Sequence, residues 1–410
     1  MALRNKINKV LIANRGEIAL RIKRACRKLG IRSAAIVSEA DKNSLFAREA
    51  EELYVIGPAP ARESYLAADK IIAAAKELGC DAIHPGYGFL SENAEFARKV
   101  IDNGLVFVGP SPESIEALGS KTKARAHVKR FGVPVTPGSE GGLSDQRLVE
   151  LAAQIGFPVI VKAVAGGGGR GMRIVNSAGE LTQILPRARA EALKNFASDD
   201  VYLEKFIEQP RHVEVQILGD AFGHVIHLGT RDCSTQRRHQ KLVEEAPAPN
   251  LSSDLRERIH MAAVNAAKSV SYQNAGTAEF LVKGEEFYFL EMNTRIQVEH
   301  PATEMVTGVD LVELQLKVAQ GERIPWSQDQ ITFDGHAIEF RIYAEDPANN
   351  FAPSPGRITR LKRNDAPYVR EDIGFSEGDE ISLHYDAMIS KLIVKGENRS
   401  DAIAKSIAIL

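Results

Sequence analysis

At 410 residues the chain is too long for one simple core and predicts two or three domains, and at 44% hydrophobic and 26% charged it has the composition of an ordinary soluble globular protein. A net charge of −2 offers no footing for nucleic acid or an anionic membrane surface, and no run approaches the ~18 apolar residues of a membrane span. Cys26, Cys80 and Cys233 are far apart and give neither a disulfide framework nor zinc spacing; with no signal peptide in MALRNKINKV, a reducing cytoplasm is expected.

Residues 9–112 alternate strand and helix. Lys9–Ala13 and Ser33–Val37 read as strands. Between them Ile18, Ile22, Ala25 and Leu29 recur at helical spacing, and Gly30 stands where a helix would end. Tyr65–Leu78 reads as a helix ending at Gly79, and Ala82–Ile83 and Val106–Val108 as further strands. This alternation predicts an α/β fold with a doubly wound parallel sheet. The first strand–helix turn, Ala13-Asn14-Arg15-Gly16-Glu17, has one glycine where a dinucleotide fingerprint needs three, although Glu39 and Asp41 stand where a ribose-binding acid would. HPGYGFLSE (84–92) is a glycine-rich loop after a strand, either a tight turn or a cleft wall at the carboxyl end of the sheet.

Ser114–Arg130 reads as one helix carrying Lys121, Lys123, Arg125, Lys129 and Arg130. These cations either form a solvated face or include one lysine directed at phosphate. Pro134 and Pro137-Gly138 then mark a boundary. Residues 144–207 look like a small α/β unit. Its strand Phe157–Val164 holds Lys162 inside an apolar run, a costly place without an anionic partner. Gly166, Gly167, Gly168 and Gly169 follow, then Arg170, Gly171 and Met172. Such a run costs chain entropy and suits backbone N–H groups that close on an anion. No Walker A pattern is present, so the run reads as a hairpin lid over phosphates. A helix over Leu181–Phe196 has to kink or restart at Pro186. Val201–Ile207 and Arg211–Gln216 read as strands. Arg231–Lys241 reads as a polar loop, either merely exposed or supplying cations and amides to anions. Cys233 lies among cations that would lower its pKa, but no pattern here requires a thiol nucleophile.

Gly276–Val282 and Phe287–Met292 are strands joined by Lys283-Gly284-Glu285-Glu286, a hairpin signal. With its turn at Gly284–Glu286, Glu279 faces Glu291 across the ladder and Asn293 follows on the same face. The pair is either a surface feature or a metal site. Buried facing carboxylates need a cation, and oxygen ligands in this number suit Mg²⁺ or Mn²⁺. Glu291, Asn293, Arg295, Gln297 and Glu299 then fall at every second position, which in an extended chain is one face of a cleft.

Together these stretches resemble the biotin carboxylases, the ATP-grasp component of biotin-dependent carboxylases. The resemblance runs over essentially all of the chain. It rests on IANRGEIA (12–19), HPGYGFLSEN (84–93), KAVAGGGGRGM (162–172), EKFIEQPRHVEVQ (204–216), RDCSTQRRHQKLVEEAPAP (231–249), EMNTRIQVEHPATE (291–304) and EFRIYAEDP (339–347). QRRHQK and EMNTRIQVEH are the most specific of these.

The resemblance implies a Rossmann-like N-terminal domain over 1–112 and an ATP-grasp domain over 113–320 with a lid subdomain at 136–204. A mixed α+β C-terminal domain over 321–410 is expected to be incomplete, because the family continues past the position of Leu410. It implies ATP as nucleotide, with Lys121 and Lys162 on the phosphates and Gly166, Gly167, Gly168, Gly169 and Met172 as lid. Glu204, Lys205, Phe206 and Ile207 are the segment whose backbone reads adenine, Leu281 packs on the base, and His212, Gln236 and His239 complete the pocket. Glu279, Glu291 and Asn293 are the implied ligands of Mg²⁺ or Mn²⁺, two ions in all. Lys241, Arg295, Gln297 and Val298 form the bicarbonate site with Glu299 as general base. Arg341 steadies the biotin enolate, and Tyr87 faces biotin. The glycine run begins one place later than in many members, with Ala165 first.

The implied activity is ATP- and bicarbonate-dependent carboxylation of biotin through carboxyphosphate. Its implied partners are a biotin carboxyl carrier protein or domain, a carboxyltransferase component and a second copy of the chain, with Arg15–Arg24 in the shared surface. The final carboxyl acceptor is not readable. Two competing readings are another ATP-grasp ligase, such as one making carbamoyl phosphate, and a non-catalytic ATP-binding module. A nicotinamide oxidoreductase needs the missing glycines.

Overall fold

The computed structural model describes residues 6–164 and 172–410. β1 (Lys9–Ile12) is buried along its whole length, as a strand covered on both faces must be. It is the central strand of a parallel sheet with β2 (Arg32–Ser38), β3 (Glu52–Gly57), β4 (Ala82–His84) and β5 (Val106–Phe107), in the order β3-β2-β1-β4-β5. The doubly wound arrangement expected from the sequence is therefore present. Strand order reverses between β1 and β4, so the turn after β1 and the loop after β4 flank one crevice. Asn14 fastens the two: its Nδ2 donates to Pro85 O and Tyr87 O, each at 2.7 Å. A Cβ at Gly86, whose φ is +63°, would meet that Nδ2 at 2.9 Å, which accounts for the glycine. Asp41 is not available to a ribose. Its carboxylate takes two hydrogen bonds from Arg15, at 2.7 and 2.8 Å, and one from Tyr65 at 2.6 Å.

Two expected helices differ. The one read over Tyr65–Leu78 spans Ala68–Glu77. The one read over Ser114–Arg130 is two helices, Pro112–Gly119 and Lys121–Lys129, broken at Ser120, whose backbone is extended.

A small antiparallel sheet follows, β7-β6-β8, from β6 (Val159–Ala163), β7 (Arg173–Val175) and β8 (Val201–Lys205). Helices Asp145–Ile155 and Ala178–Phe196 back it, with serine N-caps at Ser144 and Ser177. They enclose an apolar cluster that includes Leu148, Val161, Leu181, Leu185 and Leu203. The second helix runs through Pro186 without restarting; Thr182 and Pro186 are both exposed, so the carbonyl the proline leaves unpaired lies on the solvent side.

The largest sheet has eight antiparallel strands. It contains β9 (Arg211–Gly219), β10 (Val225–Arg237), β11 (Gln240–Ala246), β12 (Asn274–Lys283), β13 (Glu286–Asn293), β14 (His336–Tyr343), β15 (Val369–Ile373) and β16 (Met388–Gly396). Their order is β13-β12-β9-β10-β11-β14-β16-β15. The polar stretch Arg231–Lys241, expected to be a loop, is instead a hairpin. β10 and β11 meet at a two-residue turn, Arg238-His239, with both residues at positive φ. Helix Gly16–Lys28 shares an apolar cluster with β9, β10, β12 and helix Leu311–Ala319, through Ile18, Ile22, Leu218, Ile226, Ala275 and Leu314. That cluster fixes the parallel sheet against the large one. Among the described residues no helix is long and apolar enough to cross a membrane.

Candidate active site

The hairpin β12–β13 sets the first part of the site. Its turn is shorter than the expected Gly284–Glu286: Lys283 pairs with Glu286 around Gly284-Glu285. A regular ladder from that turn would oppose Glu279 to Leu290. Leu290 is instead a bulge, and the pairing resumes one residue on, with Glu291 opposite Glu279. The bulge also resolves a conflict of faces. Phe287 and Phe289 belong to the buried cluster around Phe280, whereas Glu291 and Asn293 share the cleft face with Glu279. All four positions are odd, so a flat strand would place them on one side.

The expected extended face stops at Asn293. Residues beyond it form a loop that enters helix His300–Thr307, with Glu299 at its N-cap and Pro301 in its first turn. His300 Nδ1 lies 2.7 Å from Gln297 O, which curls the chain there. The polar side chains still converge. Asn293 Nδ2 and Gln297 Nε2 each donate to Glu279 Oε1 at 2.8 Å. Arg295 donates to Asn293 Oδ1 and Glu92 Oε2, both at 2.9 Å.

Lys241 is the hub. Its Nζ reaches Glu214 Oε2 at 2.7 Å, Glu279 Oε1 at 2.8 Å and Glu299 Oε1 at 2.7 Å. Burial works against its charge, but the three carboxylates outweigh burial and hold the ammonium well above its usual range. Burial likewise opposes the charge on Glu299; Lys241, Arg341 and Arg231 overcome it and keep Glu299 well below the ordinary carboxylate range. For Glu279, too, Lys241 and His212 outweigh burial and hold its pKa down. His212 Nε2 sits 3.0 Å from Glu279 Oε2, and Gln236 Nε2 contacts His212 Nδ1 at 3.0 Å. Leu281 pairs with His212 across the strands and faces the same cleft.

On the far side, Arg341 Nε donates to Glu244 Oε1 at 2.7 Å and its Nη2 to Glu299 Oε2 at 2.9 Å. Arg341, Arg295, Val298 and Tyr87 line one cleft of about 530 Å³, together with the turn Asn14–Glu17 and residues His384–Asp386. The Tyr87 hydroxyl donates to Glu17, and Lys391 Nζ donates to Val298 O at 2.8 Å. The cleft thus lies at the crevice where the parallel sheet reverses its order.

Lys162 finds the anion its apolar strand requires: Glu204 Oε2, at 2.7 Å, with Arg125 on the other oxygen. Lys205 turns away from the cleft to cap carbonyls, at 3.0 Å from Gly156 O and 2.9 Å from Phe157 O. Phe206 N donates to Pro158 O at 3.1 Å, Ile207 follows directly after β8, and His239 is exposed at the hairpin turn. Met172 immediately precedes β7. Gly166, Gly167, Gly168 and Gly169, and the side chain of Lys121, lie outside the described residues.

Several residues of the site carried no sequence signal of their own. Glu214 pairs with Glu279 across β9 and β12, and fully buried Arg231 bonds Glu214, Gln216, Thr303 and Gln297. Glu214 lies in the alternating charged stretch Arg211–Gln216, but only strand order shows that its face meets Lys241. The effect on Cys233 is the reverse of that expected. Burial, then Glu214, pushes the thiol well up, so it stays protonated. Glu279 and Glu291 opposite one another with the Asn293 amide form a hard-oxygen set that fits a divalent cation such as Mg²⁺. Among the described residues, His212, Glu214 and Glu279 also bring ligand atoms within 4.8 Å of one another; Glu279 is common to both groups, and Lys241 bonds it and Glu214.

Known proteins resemble the chain along nearly its whole length. Residues 6–115 match the family described as biotin carboxylase, N-terminal domain; residues 120–326 the carbamoyl-phosphate synthase L chain, ATP binding domain; and residues 339–410 the biotin carboxylase C-terminal domain. Biotin carboxylase of Halalkalibacterium halodurans is 53% identical over 97% of this chain and 88% of its own length. Methylcrotonoyl-CoA carboxylase subunit alpha, mitochondrial, of Mus musculus is 53% identical over 97% of this chain, but the chain spans only 56% of that relative. Among solved structures, the biotin carboxylase domain dimer of Hydrogenobacter thermophilus 2-oxoglutarate carboxylase, in complex with MgADP, ADP and bicarbonate, superposes with a TM-score of 0.92. It is 48% identical and covers 98% of this chain and 89% of that one. With identity at this level along nearly its whole length, the chain belongs to the biotin carboxylase family.

Proposed function

We propose that the chain catalyses ATP- and bicarbonate-dependent carboxylation of the ureido nitrogen of biotin on a carrier protein or domain. The observation that carries this reading is the position of Glu299, bonded at once to Lys241 and Arg341 in a cleft that Arg295 and Tyr87 also line. Glu299 is the base. Held by Lys241 and Arg341 it is a poor proton acceptor; an anion that takes Lys241 for itself, with Arg295 as its second cation, relaxes that hold and makes Glu299 more basic as the substrate arrives. Gln297 and Val298 fix the anion's orientation. Arg341, anchored through Nε on Glu244, turns its other nitrogens to the oxyanion that develops on biotin. One such contact is worth about 3 kcal/mol at the transition state, roughly 10²-fold in rate.

Lys121 and Lys162 contact phosphate, with the glycine run at 166–169 and Met172 as lid. Glu204–Ile207, His212, Gln236, His239 and Leu281 receive the nucleotide. Glu279, Glu291 and Asn293 would hold Mg²⁺, or Mn²⁺ in its place, which when bound would supply charge stabilisation to phosphoryl transfer. The divisions near residues 112 and 320, a cytoplasmic setting, a homodimer and a carboxyltransferase partner belong to the same proposal.

The test is ATP hydrolysis with Mg²⁺ and bicarbonate, with and without free biotin, on the chain and on Glu299→Gln. Biotin-stimulated turnover that the substitution abolishes supports the proposal. Turnover stimulated by an amine and indifferent to biotin would favour the second reading, a different ATP-grasp ligase, which the match over 120–326 also accommodates.

A further inference from the structure

Behind Arg341 lies a further pair of facing acids. Glu244 on β11 stands directly opposite Glu339 on β14, and both are fully buried. Their surroundings are unequal. Glu244 Oε1 takes the 2.7 Å bond from Arg341, while neither oxygen of Glu339 has a hydrogen-bond partner among the described residues. Glu244 Oε2 is likewise unpartnered.

The charged groups facing Glu339 are few and already committed. Arg341, two places along its own strand, divides its donors between Glu244 and Glu299. From β16, Lys391 gives its bonds to Val298 O at 2.8 Å and Glu17 at 3.1 Å. From β11, Lys241 is taken by three other carboxylates. The helix above offers His300, which burial keeps neutral, and Glu299 at its N-cap. Beyond these lie apolar neighbours such as Ile393, which pairs with Glu339 on β16 and belongs to a buried cluster with Ala302 and Val306.

From this geometry we infer that Glu339 is stored as the neutral acid and positions Arg341, leaving Glu244 as the one carboxylate on that side. A buried carboxylate without a cation or donor costs more than a neutral acid in the same place. Burial and the nearby Glu244 push Glu339 well up, against the pull of Lys391; burial raises Glu244 as well, to about 7, but Arg341 opposes it, so of the two acids Glu339 keeps its proton to higher pH. Neutral Glu339 lets Arg341 rest on Glu244 and keep its other nitrogens for Glu299 and the substrate. Ionised, it would add a competing charge and draw Arg341 and Lys391 inward. The kinetic part of this inference rests on the roles proposed above for Glu299 and Arg341; the stored proton does not.

Infrared difference spectroscopy of the full chain, with no substrate present, reads the proton. The wild type is expected to show the carbonyl stretch of a buried protonated carboxyl on the alkaline side of neutrality, where Glu244 is ionised, and Glu339→Gln to lack it. No such band in the wild type overturns the inference. So does a band that survives in Glu339→Gln and vanishes in Glu244→Gln. Should Glu339→Gln fold poorly, Glu339→Met removes the same band in a pocket that is already half apolar. In the kinetic arm, the alkaline fall of kcat/KM for bicarbonate is expected to move up by about one pH unit in Glu339→Gln. An unmoved fall, with rate lost equally at every pH, would mean that Glu339 is structural only. Absent biotin-dependent turnover in the wild type would instead sink the proposed function and leave the infrared result standing.

Discussion

Lys241 Nζ and Glu299 Oε1 are 2.7 Å apart, so the proposed base and the cation expected to bind its substrate are joined to each other beforehand. Glu299→Gln keeps the shape and lets Lys241 rest on Glu214 and Glu279. Biotin-stimulated ATP turnover is expected to fall by roughly 10²-fold or more while the fold is retained. The same pair makes a pH statement. Glu299 is depressed in the folded chain, so it contributes stability above the ordinary carboxylate pKa of about 4 and loses it only as pH falls through its lower folded value. Acid unfolding of wild type and Glu299→Gln should therefore differ above that range and converge below it.

Arg341 separates chemistry from nucleotide binding, because among the described residues it bonds Glu244 and Glu299 and none of the nucleotide set. Arg341→Ala should lower kcat for biotin carboxylation about 10²-fold. Equilibrium binding of ATP should stay within about twofold, since Arg341 reaches the cation ligand Glu279 only indirectly, through Glu299 and Lys241. A large loss of ATP affinity would place Arg341 elsewhere in the mechanism.

Glu279 accepts from Asn293, Gln297 and Lys241, and His212 Nε2 lies 3.0 Å from its other oxygen. Glu279→Gln removes the charge of a ligand and of an orienting group together. The Mg²⁺ concentration for half-maximal turnover is expected to rise at least about tenfold. Titration of turnover with Mg²⁺ decides this, and an unchanged midpoint would remove Glu279 from the cation site.

Far from the cleft, His227 and His260 stack with ring centroids 3.8 Å apart. Burial holds His227 down to about 4; burial and the neighbouring His227 hold His260 down to about 3. Both folded values lie below the unfolded value of about 6.5, so the stability linked to their neutrality is whole above that pH and drains away below it. His260→Gln should flatten this acid arm by a few kcal/mol. Urea midpoints on both sides of the histidine range, in wild type and variant, measure it.

What could be read without coordinates divides by distance along the chain. Glu279 and Glu291 were legible as a facing pair because one hairpin joins them. The bulge at Leu290 was present in the sequence as a contradiction, two core phenylalanines and two cleft polar residues all on odd positions, and only the ladder shows how the chain settles it. The alternation Arg295, Gln297, Glu299 points to residues that do converge, but not on one extended face: they come together from a loop and a helix cap. Lys162 signalled a buried anion but could not name Glu204. Glu214, Arg231, Glu244 and Glu339 were out of reach, because each matters through a partner on another strand whose neighbours depend on the order of the whole sheet.

The small sheet β7-β6-β8 has an apolar cluster of its own, apart from the others. The body grips it through a short strap, where Phe289 N donates to Pro134 O and Lys205 N to Pro137 O, each at 2.7 Å, and through Arg125 on Glu204. With Ser139 N also donating to Leu203 O and Thr136 Oγ1 to Glu204, these ties centre on one strap among the described residues, an arrangement that suits a separate cooperative unit able to open while its neighbours stay folded. Heat absorption should then come in two waves, the earlier one delayed by any nucleotide that bridges the small sheet to the body.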